Sequence, residues 1–539
     1  MMDPGRLLDR LARYAGSPRR IRQTLRTLLQ ARAVSRSPLF DRAWYLRQNP
    51  DIAKSGESPE LHYLFAGAAA GQDPGPGFCG AEYLELNPGA AASGLNPLVH
   101  YERVGRRAGL RVSRLQPLLG NGSADPDWRF PTLEEHQAAF PAKVAAIRAR
   151  VAAGARIKSL FLVSSASMFP ARPLLDAMRR SPRHDARIAV IPDLRGIASG
   201  DPHDAMRRAE ANLARAYPAD ALVHVSRSAS GHWSDPVADF RADIVCYPSP
   251  YNLSSWRCNP RRAIGDSFLP IYANYGYPCT SFAAPVMGLA NYACMWKVFL
   301  ESAAAQDLYR SVSPIGGANG KVVGSIKMDA LPAQAPRPDG RKCVLVAPHH
   351  SVAGGANGLM ALSNFMRLAD FIAELPGKFP GADFLFRPHP FLFPVLERPS
   401  LWGRARCERW RERFLAHPNA RWTDGGDPLR DFAAADAIVQ DCSSFLADWS
   451  FTGKPCCYIL DDLAEAPRKF NAIGLRCLEG CRVATDAAGI EAFIRNVVMA
   501  GDDPEAGPRE RVRAELAVNW PHAADTALSA IERELLPGP

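Results

Sequence analysis

The 539-residue chain reads as an α/β protein of two parallel-sheet domains with a cleft between them, preceded by a mainly helical repeat module. Three observations predict this. A unit of 38 residues occurs twice before residue 112. From residue 157 onward, short apolar runs alternate with helical stretches, and uninterrupted apolar runs are the mark of strands buried on both faces. After residue 340 the same alternation begins again, which gives a second domain.

Composition bounds the reading. At 47% hydrophobic and 22% charged the chain is globular, and 46 prolines beside 41 glycines promise many turns. The net charge of +10 comes mostly from dispersed arginines, with no basic stripe interleaved with aromatics, so no nucleic-acid partner is expected. A phosphorylated substrate or an anionic membrane face suits the balance at least as well. Twelve cysteines without a CxxC pair make neither a disulfide framework nor a zinc motif. No run approaches the roughly 20 apolar residues that span a bilayer, and no secretory leader is recognisable. The expected compartment is the cytoplasm, with peripheral contact at the inner face of the cell membrane.

That contact is expected from residues 1–36, which carry nine arginines and two aspartates among leucines. An arginine-rich amphipathic segment can lie on anionic lipid, and a plain helical hairpin facing solvent fits the same residues. Residues 37–111 hold the repeat. Phe40 and Phe78, Tyr45 and Tyr83, Pro50 and Pro88, Gly56 and Gly94, Pro59 and Pro97, His62 and His100, Tyr63 and Tyr101, and Gly67 and Gly105 match at one offset. Each copy predicts two short helices around a Gly/Pro turn, too small to bury its apolar face alone. The paired histidines therefore read as packing residues, and the module as an accessory or docking unit. Residues 112–131 form a polar linker.

The first α/β domain is expected over 132–330, with a helix from Leu133 and strands at 159–165, 186–194 and 243–250. The second is expected over 331–539, with strands at 342–351, 383–390, 437–444 and 455–462 and helices at the C-terminal end. In the second domain every strand delivers polar groups at its carboxyl end, where parallel sheets place their sites. These are His349, His350 and Ser351, then Arg387 and His389, then Asp441, Ser443 and Ser444. Three imidazoles, a guanidinium, hydroxyls and a helix start suit a phosphate-bearing ligand. Each has a plainer reading, since a serine after a strand is often just a helix N-cap. Their joint occurrence on successive strand ends favours the site. No GxxxxGK[ST] loop, HExxH helix or GxSxG elbow is present, and the two GANG segments (317–320 and 355–358) read as turns.

Residues 320–462 resemble the CDP-glycerol glycerophosphotransferase family of teichoic-acid and capsule synthesis. The matching pieces are VVGSIKMD (322–329), FRPHP (386–390) and VQDCSSFLADWSFTGKPCCYILDD (439–462). The repeats, separately, look like modules attached to bacterial surface-polysaccharide glycosyltransferases. The resemblance implies a GT-B arrangement of two Rossmann-like domains with the donor in the C-terminal one. It implies that Arg387 and His389 meet the donor diphosphate and that Ser443 and Ser444 hold its phosphates or the nearby sugar. Asp441, an anion itself, would serve a hydroxyl or orient a donor. Lys327 and Asp329 would shape the cleft. The family's Trp-His-Gly motif, whose histidine is the base, has its nearest match here in YANYGYP (272–278), with Asn274 and Tyr275 and no histidine. A tyrosine with a pKa of about 10 is a poor base, so the role is expected to move to His350 or His349.

The reaction so implied moves glycerol phosphate or ribitol phosphate from a CDP-activated donor to a hydroxyl of a glycan or lipid-linked glycan acceptor, releasing CMP. No cofactor and no metal are expected, and capsule-assembly proteins are candidate partners. Two other readings stay open: a glycosyltransferase using a nucleotide sugar on the same fold, and a degenerate, non-catalytic scaffold.

Overall fold

The computed structural model describes residues 29–49, 52, 57–69, 72–75, 78–110, 112, 133–165, 169–192, 202–226, 234–249, 260, 263, 266–334, 340–352, 361–423 and 426–536. Most of the arginine-rich segment, the linker, Pro50, Gly56 and the second GANG segment lie outside them.

The first sheet contains β1 (Ile157–Val163), β2 (His184–Val190), β3 (Leu222–Val223), β4 (Ile244–Tyr247), β5 (Leu269–Ala273), β6 (Lys297–Leu300) and β7 (Gly320–Val322), in the order β3-β2-β1-β4-β5-β6-β7. The second contains β8 (Lys342–Ala347), β9 (Ala382–Phe386), β10 (Ala420–Trp422), β11 (Ala437–Gln440), β12 (Cys456–Ile459) and β13 (Arg482–Ala484), in the order β10-β9-β8-β11-β12-β13. All pairings within both sheets are parallel. Each sheet reverses its winding once, between β1 and β4 and between β8 and β11. Outside the carboxyl ends at such a reversal lies the crevice where doubly wound sheets bind ligands. Two Rossmann-like domains of this kind make a GT-B-like protein.

The sheet interiors account for the apolar runs. Every residue of β4, β5, β11 and β12 is buried. One hydrophobic core extends from the first sheet onto one face of the second, joining Phe161, Ile188 and Phe299 to Leu345, Ile438 and Trp449. A separate core covers the other face of the second sheet around Phe365, Phe386, Trp410 and Ile494. The helices that matter below are α1 (Leu133–Ala152), α2 (Arg172–Arg180), α3 (Phe365–Lys378), α4 (Pro428–Ala434), α5 (Ser443–Ser450), α6 (Ala472–Leu478), α7 (Ala506–Leu516) and α8 (Ala523–Leu535).

Chain crossings hold the two domains together. The last helix, α8, packs on α1 and α2 of the first domain. Its start is held by Asp329, which accepts the Ala524 N–H at 2.7 Å. Trp520 Nε1 donates to Met328 O at 2.9 Å and Asn519 Nδ2 to Val323 O at 3.1 Å. In the other direction, the loop after β5 docks on the start of α6. The Asn471 N–H donates to Cys279 O, and Gly474 sits so close that a Cβ there would lie 2.2 Å from the same carbonyl. Asp329, expected in the cleft, thus works at a helix start.

The repeat module has its own small core, and its two copies make the same tyrosine–histidine contact. Tyr45 OH lies 2.8 Å from His62 Nδ1, and Tyr83 OH lies 2.8 Å from His100 Nδ1. Pro59 and Pro97 open equivalent helices behind Ser58 and Asn96 caps, as first-turn prolines do. Gly67 and Gly105 are required by the tyrosines: a Cβ would lie 2.1 Å from Tyr45 OH and 2.3 Å from Tyr83 OH. These histidines hold packing positions.

Candidate functional site

Strand register brings the expected residues together. Val346 of β8 pairs with Phe386 of β9, and Ala347 with Gln440 of β11. Beyond the sheet the chains stay side by side, because the Arg387 N–H donates to Val346 O at 2.8 Å and the His389 N–H to Pro348 O at 3.0 Å. At the β8/β11 reversal itself, Asp441 accepts the His349 N–H on Oδ1 and the Asn364 N–H on Oδ2, each at 2.6 Å. Its carboxyl is buried, which pushes its pKa up to about 7. Asp441 therefore orients the histidine loop and the start of α3, with a lone pair of each oxygen engaged.

His349, His350 and His389 form one cluster. Ring centroids are 4.2 Å apart for His349 and His350, 4.1 Å for His350 and His389, and 5.2 Å for His349 and His389. Burial, with the neighbouring imidazoles adding to it, lowers His349 to about 2 and His389 to about 3, and burial lowers His350 as well. All three are neutral at pH 7. His349 Nδ1 lies 2.7 Å from Ser351 Oγ, and His389 Nδ1 accepts the Phe391 N–H at 3.1 Å. His350 Nδ1 is buried without a hydrogen-bond partner. A cavity of about 490 Å³ opens beside His389, walled by Pro390, Phe393, Trp422 and Thr423.

Next to the cluster, α5 starts at the end of β11. The cap position is Cys442, whose side chain makes no cap hydrogen bond, so the simple N-cap reading of Ser443 does not hold. Ser443 and Ser444 occupy the first turn, with Ser444 Oγ 3.1 Å from Cys442 Sγ. The first-turn N–H groups of a helix have no intrahelical partner and carry the positive end of its dipole.

Arg387 is engaged elsewhere. Its buried guanidinium pairs with Asp431 of α4, donates to Gly426 O at 2.7 Å and lies 3.4 Å from Thr423 Oγ1. It fastens the loop after β10 to the β9 end, where the resemblance implied diphosphate contact. Lys454, in the Lys-Pro pair of the same motif, likewise turns inward to the carbonyls that end α4: Phe432 at 2.8 Å, Ala433 at 3.0 Å and Ala435 at 2.5 Å.

A second polar cluster lies where the domains meet. Asn274 Nδ2, just past β5, donates to Glu301 Oε2 at 3.1 Å, and Asn274 Oδ1 accepts from Tyr292 OH at 3.0 Å. Glu301 stands just past β6 and is 2% exposed, with Oε1 lacking a hydrogen-bond partner. Burial pushes its pKa up to about 8. Lys327 pairs with Asp448 on the second turn of α5, and its ammonium lies 5.3 Å from the Tyr275 ring centroid. A Cβ on Gly276 would lie 3.9 Å from Asp448 Oδ1. One helix, α5, thus carries its first turn to the histidine side and Asp448 to the first domain. Glu301 and Asp448 escaped the sequence reading. Glu301 ends the apolar run KVFL (297–300), so the strand-end rule would have found it had β6 been recognised.

No family model matches the chain, and no curated protein sequence matches it. Among solved structures, the wall teichoic acid polymerase TagF is 11% identical over 70% of this chain and 88% of that one, with a TM-score of 0.46. UDP-GlcNAc 2-epimerase from Neisseria meningitidis is 10% identical over 70% and 100%, at 0.43. The S. aureus MnaA–UDP structure is 11% identical over 70% and 96%, at 0.44. These likenesses are distant, and the two-domain assignment stands on the sheet order of this chain. No helix among the described residues is long and apolar enough to cross a membrane.

Proposed function

We propose that this chain is a transferase that moves a polyol phosphate from a CDP-activated donor to an acceptor hydroxyl. The observation that carries the proposal is the gathering of three neutral imidazoles and the first turn of α5 at the β8/β11 reversal. Such a set offers N–H and O–H donors to phosphate oxygens, both oxygens of the nearby Asp441 are engaged by backbone N–H groups, and a helix start favours an anion. Of these residues, His389, Ser443 and Ser444 belong to the motifs FRPHP and QDCSS that prompted the family resemblance, while His349 and His350 follow β8 outside those motifs.

In this reading the diphosphate lies against His349, His350, His389, Ser443 and Ser444. Arg387 acts by holding the loop after β10 in place. The acceptor enters from the first domain, beside Asn274 and Tyr275, with Lys327 held by Asp448. Its hydroxyl oxygen attacks the phosphorus bonded to the polyol, the bond from that phosphorus to the bridging oxygen breaks, and CMP departs with that oxygen. The hydroxyl proton passes to Glu301. A base works best when its pKa lies near the working pH, and Glu301, at about 8, meets this far better than His349, at about 2, while burial lowers His350 as well. In this reading the base is therefore the carboxylate, where the resemblance led to His350 or His349.

Calorimetric titration of the full chain with CDP-glycerol, CDP-ribitol, CDP, UDP-N-acetylglucosamine and a GDP-sugar tests the donor class. Selective binding of a CDP-polyol is the expected result. Preference for a nucleotide sugar makes the protein a glycosyltransferase, and silence across the panel favours a non-catalytic scaffold.

A further inference from the structure

The geometry points to a divalent transition-metal site formed by His349, His350 and His389 at the carboxyl end of the second sheet. One nitrogen from each ring can be chosen so that all three lie within 4.8 Å of one another. A tetrahedral ion bound at about 2.0–2.1 Å draws its ligand nitrogens to about 3.4 Å apart. The cluster therefore closes on an ion by side-chain rotation, with the backbone of β8 and β9 already in register.

The remaining contacts describe how each ring would bind. His350 brings a buried Nδ1 with no hydrogen-bond partner, which is the group most in need of one. His349 has Ser351 Oγ 2.7 Å from Nδ1, the outer hydrogen bond that fixes the ring of a metal-bound histidine and leaves Nε2 for the ion. Ser351 Oγ is itself held by the Leu362 N–H at 3.1 Å, while the longer Ser351 N–H contact to the same Nδ1, 3.3 Å, gives way. His389 currently accepts the Phe391 N–H on Nδ1, and ligation through either nitrogen gives up that bond.

Three imidazoles and no carboxylate choose the ion class. Mg²⁺ and Ca²⁺ demand oxygen ligands, whereas Zn²⁺ takes three histidines and leaves a fourth position open. On the donor reading above, a phosphate oxygen fills that position, so the site would neutralise the diphosphate. Metal uptake itself does not depend on that reading.

Co²⁺, a spectroscopic substitute for Zn²⁺, is titrated into the metal-free full chain while visible ligand-field bands are followed. The expected result is one ion per chain with tetrahedral bands. These bands vanish in His350→Gln and His389→Gln and persist in His224→Gln, a histidine far out in solvent. Ser351→Ala, which removes no ligand, weakens binding by about 10–100-fold. No bands in the wild type, or bands unchanged in both ligand variants, overturns the site, and the wild-type titration decides even if a variant misfolds. CDP-glycerol is then titrated into the metal-free and Zn²⁺-loaded chains. Donor binding without any metal uptake defeats the metal site alone. Metal uptake with no CDP-polyol binding defeats the donor reading alone.

Discussion

Glu301 is the residue on which the proposed chemistry turns. Its carboxyl is buried beside Asn274, and burial raises its pKa from 4.5 to about 8. The native chain therefore holds a proton there that the unfolded chain has released by neutral pH. The stabilisation this brings is complete below about pH 4.5 and is lost as pH rises through about 8. Glu301→Gln keeps the shape and removes the titration. Thermal unfolding of the variant should show a smaller fall in stability between those limits than wild type. Activity should move the opposite way: wild-type kcat/KM rises with pH toward about 8 as the basic form appears. The variant should lose about 10²–10⁴-fold and that pH dependence with it. Equal rates and parallel pH profiles would remove Glu301 from the mechanism.

At the scale of elements, α5 and the repeat helices each carry a prediction. Lys327 is the partner of the fully buried Asp448 on α5. Replacing it with methionine leaves that carboxylate uncompensated, a loss on the order of 3–5 kcal/mol in chemical unfolding. The double variant Lys327→Met/Asp448→Leu should recover most of it. In the repeats, Gly→Ala normally gains up to about 1 kcal/mol inside a helix. At Gly67 and Gly105 the sign should reverse, because the new methyl would meet Tyr45 OH or Tyr83 OH, each already held by a histidine. Unfolding temperature measured on the two alanine variants checks this.

Elements also show what a single sequence discloses. Strands β1, β2, β4, β8, β9, β11 and β12 were legible because each is a run of apolar residues ending in polar ones. β5 was not, because Pro270 sits inside it, and a proline usually argues against a central strand. Here the Leu269 N–H faces β4, donating to Asp243 O, so the missing N–H of Pro270 falls on the β6 side, one residue before pairing with β6 begins. β3, β7, β10 and β13 are two or three residues long, too short for any periodicity to show. The histidine cluster was legible from strand ends alone. The inward turn of Arg387 was not, since its partner Asp431 lies 44 residues away on α4.

For the whole molecule, two sheets wound alike are pinned by α8, by the loop after β5 and by a shared core, while the repeats fold around a core of their own. Removal of residues 1–112 should therefore leave CDP-polyol affinity within about threefold of the full chain, a change under 1 kcal/mol. A greater loss in calorimetry would bring the repeats into donor binding. The central claim, a CDP-polyol held at the β8/β11 reversal, is tested most directly by hydrogen exchange with and without CDP-glycerol. New amide protection is expected at 348–351, 387–391 and 441–446, with none in the repeats. Protection confined to other segments, or protection of these three by UDP-N-acetylglucosamine and not by CDP-glycerol, would contradict it.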